Sequence, residues 1–426
     1  MSSSSLSAER LAPLAVLKEV FGYDQFRGMQ EEIIEATLSG QSSCALMPTG
    51  SGKSLCYQIP ALCRPGVGVV VSPLIALMRD QVTALRQLGV RAAAINSSLS
   101  AEEFGQTFRA LRAGELDLVY VAPERLLRPD FLELLADLDQ RGLFNLLAID
   151  EAHCISQWGH DFRPEYQALS GVRDRFSDVP CIAVTATADE PTRRDITRAL
   201  KLEKVFCAGF DRENITYTVG TKNNERRQLL SFLKGRDEGE AGIVYCLSRN
   251  RVEKTASWLV EQGFKAAAYH AGLPAEVRAE NQDRFIKEDG LIIVATVAFG
   301  MGIDKPNVRF VAHLDLPKNI EAYYQETGRA GRDGLPAEAW MVYGLQEVVQ
   351  LNQMIDGSNA PDEQKNIERL KLRAFLAFCE TATCRRAVLL RYFGDNCEPC
   401  GNCDTCSNPP KTIDGTEAAQ MLLSAI

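Results

Sequence analysis

The glycine-rich stretch Met47-Pro-Thr-Gly-Ser-Gly-Lys-Ser54 follows the apolar run Cys44 to Met47 and leads into helical text. A loop of this kind between a strand and a helix points to an open α/β sheet, where ligands gather beyond the carboxyl ends of the strands. Glycines allow backbone N–H groups to turn toward phosphate oxygens, Lys53 can reach the β- and γ-phosphates, and Ser54 can bind magnesium. Thr49, Gly50, Ser51, Gly52, Lys53 and Ser54 are therefore the candidate phosphate cradle. The strict pattern opens on glycine where this chain has Met47, and a strand-to-helix turn without a ligand is the plainer alternative.

Short apolar runs recur on both sides of that loop: Cys44 to Met47, Gly68 to Val71, Leu118 to Val121, Leu146 to Ile149 and Cys181 to Val184. Separated by helical-period segments, they fit parallel strands buried on both faces. After a less apolar bridge from about Phe210 to Leu233 come Ala241 to Cys246, Lys265 to Tyr269, Leu291 to Ala295, Val308 to His313 and Ala337 to Tyr343. This second series predicts another α/β lobe, without a phosphate loop after its first strand. Helical text follows, then a cysteine-rich stretch, and Asp414 to Ile426 predicts a helix capped by Thr416 and cut off after its first turns.

Asp150-Glu151 stands directly after a predicted strand, so Asp150 can hold magnesium while Glu151 orients an attacking water. An acidic pair in that place is also common as a solvated turn, and Lys53 is what makes the pair informative. His153 and the Thr185-Ala-Thr187 turn are plausible relays between nucleotide and polymer. In Gln325-Glu-Thr-Gly-Arg-Ala-Gly-Arg332, Gln325, Arg329 and Arg332 fall at i, i+4 and i+7, which predicts one shared helical face. Gly328 and Gly331 weaken such a helix and permit close backbone approach. Arginines offered from the second lobe would neutralise a γ-phosphate on lobe closure. The alternative is a surface cluster paired with Glu326 and Asp333.

Trp158, Phe162 and Tyr166 lie among polar residues, glycine and proline just after the acidic pair. Aromatic faces of this kind stack on bases of any sequence, although Trp158 and Phe162, four apart, could instead form the core face of a short helix. Asn96, Arg125 and Arg251, near predicted strand ends, are weaker candidates for phosphate contact. Net charge is −9, which by itself argues against a nucleic-acid partner, but a basic groove is compatible with an acidic whole.

Of the 13 cysteines, seven are scattered in or beside apolar runs and predict reduced core thiols. Cys384, Cys400, Cys403 and Cys406 have the spacing of a four-cysteine zinc site, with Gly401 in the tight turn. Cys397 offers a rival, because Cys397, Cys400, Cys403 and Cys406 approach an iron–sulfur spacing. The longest apolar stretch, Gly66 to Met78, is broken by Ser72 and Pro73 and is short of the roughly 20 residues of a membrane span. The N-terminus lacks a secretory pattern, so a cytoplasmic protein is expected.

Together these residues resemble the RecQ DNA helicases of helicase superfamily 2. The resemblance is carried by Phe21 to Arg27, Met47 to Ser54, Val71 to Gln81, Asp150 to Tyr166, Phe299-Gly-Met-Gly-Ile-Asp304, Gln325 to Gly334 and Cys400 to Cys406. Met47 is normal in that family, whereas Gly28-Met29 stands where a Pro-Gly pair is common. The resemblance implies two tandem RecA-like, doubly wound parallel-sheet lobes, at 1–208 and 209–343, then a small helical zinc-binding domain at 344–408. Residues 409–426 would begin a winged helix. It further implies that Tyr23, Arg27 and Gln30 recognise adenine, that Lys53, Asp150, Glu151, Gln325, Arg329 and Arg332 carry hydrolysis, and that Cys384, Cys400, Cys403 and Cys406 hold zinc. Trp158 and Phe162, with His153, His160 and Arg163 around them, would couple DNA binding to hydrolysis. The expected protein is a monomeric, ATP- and magnesium-dependent 3′ to 5′ helicase acting on single-stranded and duplex DNA, with single-strand-binding or repair proteins as partners. A nucleic-acid-stimulated ATPase or translocase without efficient unwinding, and a nucleotide-sensing scaffold, are the alternatives.

Overall fold

In the computed structural model, residues 12–424 are described except 98, 160 and 300–304; the side chains of 76 and 418 are also outside the description. Seven strands, β1 (Ser43–Leu46), β2 (Val67–Val71), β3 (Ala92–Ile95), β4 (Leu118–Val121), β5 (Phe144–Ile149), β6 (Cys181–Thr185) and β7 (Lys204–Cys207), form the first sheet. Their order is β3-β4-β2-β5-β6-β1-β7 and every pairing is parallel. Helices cover both faces, so β2 and β5 are buried along their whole length. This is why β2 is an unbroken apolar run and β5 is one from Leu146 on, the buried Asn145 amide being satisfied by the Ala61 and Arg64 carbonyls at 3.0 and 3.2 Å.

The second sheet contains β8 (Ile215–Thr221), β9 (Ala241–Tyr245), β10 (Ala266–Tyr269), β11 (Ile292–Ala295), β12 (Val308–His313) and β13 (Ala337–Tyr343). The order is β10-β11-β9-β12-β13-β8, again parallel throughout. The sequence reading of two parallel-sheet lobes thus agrees with the fold. Its account of the bridge does not. Phe210 to Leu233 contains β8, paired with β13 over seven residues, and most of the helix Glu225–Lys234. β8 is an edge strand that buries mainly Ile215 and Tyr217, so threonines are tolerated between them and no apolar run appears.

Helices Leu345–Asp356, Asp362–Cys379 and Arg385–Tyr392 follow the second sheet. They are anchored on it by Tyr323, whose ring lies 5.4 Å from that of Phe375 and 5.3 Å from that of Phe378, and by the buried pair Lys371–Glu321. Phe393 stacks on Phe210 at 4.7 Å, Asp395 accepts the Phe210 N–H at 2.8 Å, and Arg193 of the first lobe donates to the Phe393 carbonyl at 2.6 Å. The segment between the lobes is therefore held by Phe393 and Asp395, and Arg193 ties Phe393 to the first lobe. The last helix begins at Thr416 itself, and the carboxylate accepting at its start is that of Asp414, not a Thr416 cap. Among the described residues no helix is long and apolar enough to cross a membrane.

Candidate nucleotide site and its neighbours

The loop after β1 turns through Gly50 at φ +82° and Gly52 at φ +76°, the left-handed region that favours glycine. A Cβ on Gly52 would lie 2.5 Å from the Gln30 amide nitrogen, and that amide donates to the Ser51 carbonyl at 2.9 Å. The same Gln30 accepts the Arg27 N–H at 2.9 Å. Gln30 thus connects the Tyr23–Arg27 segment to the phosphate loop. Arg27 sits over the Tyr23 ring at 6.0 Å, and Tyr23 is exposed at the rim. Met47 is buried behind the loop with its sulfur 3.6 Å from that of Cys56, so the position that departs from the strict pattern packs the base of the loop. The helix that follows, Leu55–Cys63, starts directly beyond Ser54.

Lys53 donates to the Met47 and Pro48 carbonyls, both at 3.1 Å. Burial lowers its pKa, opposed by the nearby charges of Glu151 and Asp150. Burial likewise raises Asp150 to about 7, helped by the Glu151 charge, and raises Glu151. Two desolvated carboxyls facing one ammonium are short of positive charge, which is the condition in which a divalent cation binds well. Glu151 has φ +50°, rare for a residue with a Cβ, and its Oε2 is buried without a hydrogen bond. The strain falls on the one carboxylate expected to aim a water, and that Oε2 lies 3.3 Å from the His153 Nδ1.

His153 is buried and brought down to about 3 by desolvation and by the charges of Lys371, Arg163 and Lys53, so it is neutral. Its Nδ1 lies 2.9 Å from the Thr185 hydroxyl, which donates to the Thr187 carbonyl at 3.1 Å. The Thr187 hydroxyl accepts from the Gln325 amide at 3.2 Å. A continuous polar path therefore runs from beside Glu151 to the second lobe, through the residues expected to relay.

The helical face predicted for Gln325, Arg329 and Arg332 is incorrect. The helix Ile320–Thr327 ends before both arginines, and the chain continues in tight turns through Gly331 at φ +56°. The turns bring the backbone at Gly328 against the first lobe. The Thr49 hydroxyl donates to the Gly328 carbonyl at 2.9 Å, and a Cβ on Gly328 would sit 2.5 Å from that hydroxyl oxygen. The close approach expected of Gly328 is real, and its cause is contact between lobes. The surface-cluster alternative fails as well: Glu326 is bonded to His313 at 2.7 Å, and Asp333 to Arg309. Arg329 and Arg332 instead line, with Lys53, Asp150, Glu151, Gln325, Gln30 and Tyr23, one cleft of about 540 Å³.

Beyond the acidic pair, Gly159 packs so tightly on the His153 carbonyl that a Cβ would fall 2.1 Å from its oxygen. Ser156 is fixed by Asp195 at 2.6 Å and accepts the Trp158 N–H at 3.1 Å. The result is a bent loop, not a helix, with Trp158 exposed and Phe162 half-buried. Tyr166 does not belong to this surface: its ring is fully buried and its hydroxyl donates to the Asp150 carbonyl at 2.9 Å. Arg163 is bonded to Asp161 and to the Pro73 carbonyl at 3.1 Å, beyond the end of β2. His160 lies outside the described residues, as do 300–304 of the Phe299–Asp304 stretch. Arg125 and Arg251 are engaged by Asp130 and by Glu225 and Asp315, and Asn96 is buried beyond the end of β3.

The sulfurs of Cys384, Cys400, Cys403 and Cys406 all lie within 4.8 Å of one another, which fits a tetrahedral metal; Cys397 is outside that group. Burial works against ionising Cys403, yet hydrogen bonds from Thr405 and from its neighbours outweigh it and bring the thiol to about 6. Sequence reasoning missed Arg212 and Asn214, which hold the arginine turn, and Asp80 and Gln282, which line the far side of the cleft. Single charges and amides in polar stretches carry no local signature.

Two parallel-sheet lobes, a phosphate loop on one and arginines from the other in the same cleft, define a nucleoside-triphosphate-driven motor of the helicase class. Family models agree: DEAD/DEAH box helicase matches residues 27–196, helicase conserved C-terminal domain 222–334, and RecQ zinc-binding 345–407. The chain belongs to the RecQ family of ATP-dependent DNA helicases. It is 49% identical to the ATP-dependent DNA helicase RecQ of Haemophilus influenzae, over 98% of this chain and 67% of that protein. Identity to the RecQ of Pasteurella multocida is 50%, over 97% and 65%, and to that of Bacillus subtilis 42%, over 97% and 70%. The chain thus spans about two thirds of the length of these relatives. The fold is shared with the DEAD-box helicase Mss116 bound to ssRNA (TM-score 0.62, 16% identity, 90% of this chain and 92% of that one). The Mycobacterium smegmatis helicase Lhr bound to ssDNA and AMP-PNP also matches, at TM-score 0.58 and 19% identity, over 86% and 58%.

Proposed function

We propose that the cleft binds ATP with magnesium and that its hydrolysis moves the protein along single-stranded DNA in the 3′ to 5′ direction, separating duplex as it goes. Tyr23, Arg27 and Gln30 contact adenine, and Thr49 to Ser54 wrap the phosphates. Ser54 and Asp150 hold magnesium, Glu151 orients the water, and Gln325, Arg329 and Arg332 neutralise the charge that spreads over the transferring phosphoryl group. Magnesium supplies charge neutralisation at the phosphate oxygens when bound. Trp158, Phe162, His160 and Arg163 meet DNA, and His153 passes their position to Glu151. Zinc sits on the four clustered cysteines, where it ties the start of the helix Arg385–Tyr392 to the loop 400–406.

The observation that carries this reading is that Lys53, Asp150 and Glu151 from one lobe and Arg329 and Arg332 from the other line the same cavity. The protein is assigned to the cytoplasm as a monomer working with single-strand-binding or repair proteins. ATP turnover with single-stranded DNA, with RNA and without polymer, followed by a strand-separation assay, tests the proposal. Turnover indifferent to polymer would refute it. A second reading is a DNA-stimulated translocase that separates strands poorly; strong DNA stimulation without strand separation would favour it.

A further inference from the structure

Arg212 lies in the segment between the lobes, two residues after Phe210 and three before β8. Its guanidinium donates to four backbone carbonyls: Nη1 to Thr49 and Gly328, both at 3.1 Å, and Nη2 to Ala330 at 2.9 Å and Gly331 at 3.0 Å. Thr49 belongs to the phosphate loop, whereas Gly328, Ala330 and Gly331 surround Arg329 and lead into Arg332. One planar fork therefore spans both lobes at the place where the nucleotide site is assembled.

We propose that Arg212 is a positioning residue for hydrolysis: it fixes the turn that presents Arg329 and Arg332, and it registers that turn against the phosphate loop. The assignment deepens the proposed function and rests on its arginine roles. The turn needs an outside brace because it lies beyond the end of its helix and has two glycines, so its own propensity does not define its shape. Asn214 adds to the brace by donating to the Gly331 and Leu335 carbonyls, each at 2.8 Å. The two halves of the fork differ in duty. Nη2 holds only the turn, so it works whatever the distance between lobes. Nη1 reaches Thr49 as well, so it favours the arrangement in which the arginines face the phosphates. A misplacement of about 1 Å at such a site can cost about 10²-fold in rate, and lysine, a point charge with three donors on a flexible stem, cannot satisfy all four carbonyls.

The test is steady-state ATP turnover of the full chain, saturated with single-stranded DNA, for Arg212→Lys, Arg212→Ala, Arg329→Ala and the double variant Arg212→Ala/Arg329→Ala. Melting temperature and zinc content are followed in parallel. A positioning role predicts that Arg212→Lys and Arg212→Ala each lose about 10- to 100-fold in kcat, with KM for ATP within about 3-fold and melting and zinc unchanged. It also predicts that the double variant is no more than about 3-fold slower than Arg329→Ala, because a misplaced finger and a missing one fail alike. Wild-type turnover of Arg212→Lys beside an inactive Arg329→Ala overturns the positioning role alone. Losses that multiply in the double variant overturn it too. Turnover retained by Arg329→Ala overturns the arginine-finger assignment and this inference with it. If Arg212→Ala does not fold, Arg212→Lys and the pair Asn214→Ala with Asn214→Ala/Arg329→Ala decide between the same outcomes.

Discussion

The two lobes share one architecture and use the carboxyl ends of their strands in opposite ways. In the first, the loop after β1 leaves backbone N–H groups open around Lys53, and Asp150 and Glu151 face that ammonium across a cavity without a bond to it. In the second, the equivalent region is filled by the protein's own charges. Lys222, after β8, binds the Leu314 carbonyl and Glu347; Arg251 binds Glu225 and Asp315; and Asp315, after β12, accepts the Leu247 N–H at 2.8 Å. A parallel sheet therefore provides a place for a ligand, but the loops decide whether the place is open or already satisfied. On the proposed function, the first lobe takes nucleotide and the second contributes cations to it.

The most severe way to break this asymmetry is Lys53→Ala, which removes the charge that must exchange the Met47 and Pro48 carbonyls for terminal phosphate oxygens. Turnover should fall by about 10³-fold or more, read as DNA-stimulated ATP hydrolysis, with melting little changed because the group is satisfied only by carbonyls. Near-normal turnover would move the nucleotide out of this loop altogether.

A smaller effect is expected from Trp158→Ala. The loop is held from inside, by Gly159 against the His153 carbonyl and by Ser156 on Asp195, while the Trp158 ring itself is exposed. Truncating the ring should spare the basal rate and lower the DNA-stimulated rate about 10-fold, the equivalent of about 1.4 kcal/mol in the barrier. DNA affinity should change by less than about 3-fold, since phosphate contacts elsewhere supply most of it. A stimulation ratio equal to that of the parent protein would show that the loop is not the sensor.

How much of this could be seen beforehand follows the same physics. Strands in the interior of a sheet must be apolar on both faces, so β2, β5 and β12 are plain in the sequence. The three that went unseen, β3, β7 and β8, are all edge strands. β3 is a short run made mostly of alanine, β7 begins with two exposed residues, and β8 alternates with threonine, so none carries the bulky apolar signal of an interior strand. Among site residues, those whose chemistry is local were legible: the glycines of the phosphate loop, the paired carboxylates and the spaced cysteines. What was not legible depended on which surface arrives opposite. Gln325 to Arg332 has the spacing of a helix and is not one, because lobe contact through Thr49 and Arg212 outweighs a helical preference that two glycines had already weakened. Tyr166 looked like a stacking residue and is instead the buried support of Asp150, a distinction set by one backbone carbonyl.

The gentlest prediction sharpens the comparison from the other side. If the charge cluster of the second lobe is a filled pocket and not a second ligand site, removing its central carboxylate should harm folding and spare chemistry. Asp315→Ala strands Lys222 and Arg251 and leaves the Leu247 N–H without its acceptor, in a place where the Asp315 side chain is only 6% exposed. Loss of one partner from a buried ionic group costs about 3–5 kcal/mol, and the remaining contacts of Lys222 to Glu347 and of Arg251 to Glu225 should hold this case near the lower end. The melting temperature should drop by several degrees, while KM for ATP below the new transition stays within about 2-fold of the parent value. A large rise in KM with an unchanged melting temperature would mean that the second lobe, too, keeps its strand ends for the nucleotide.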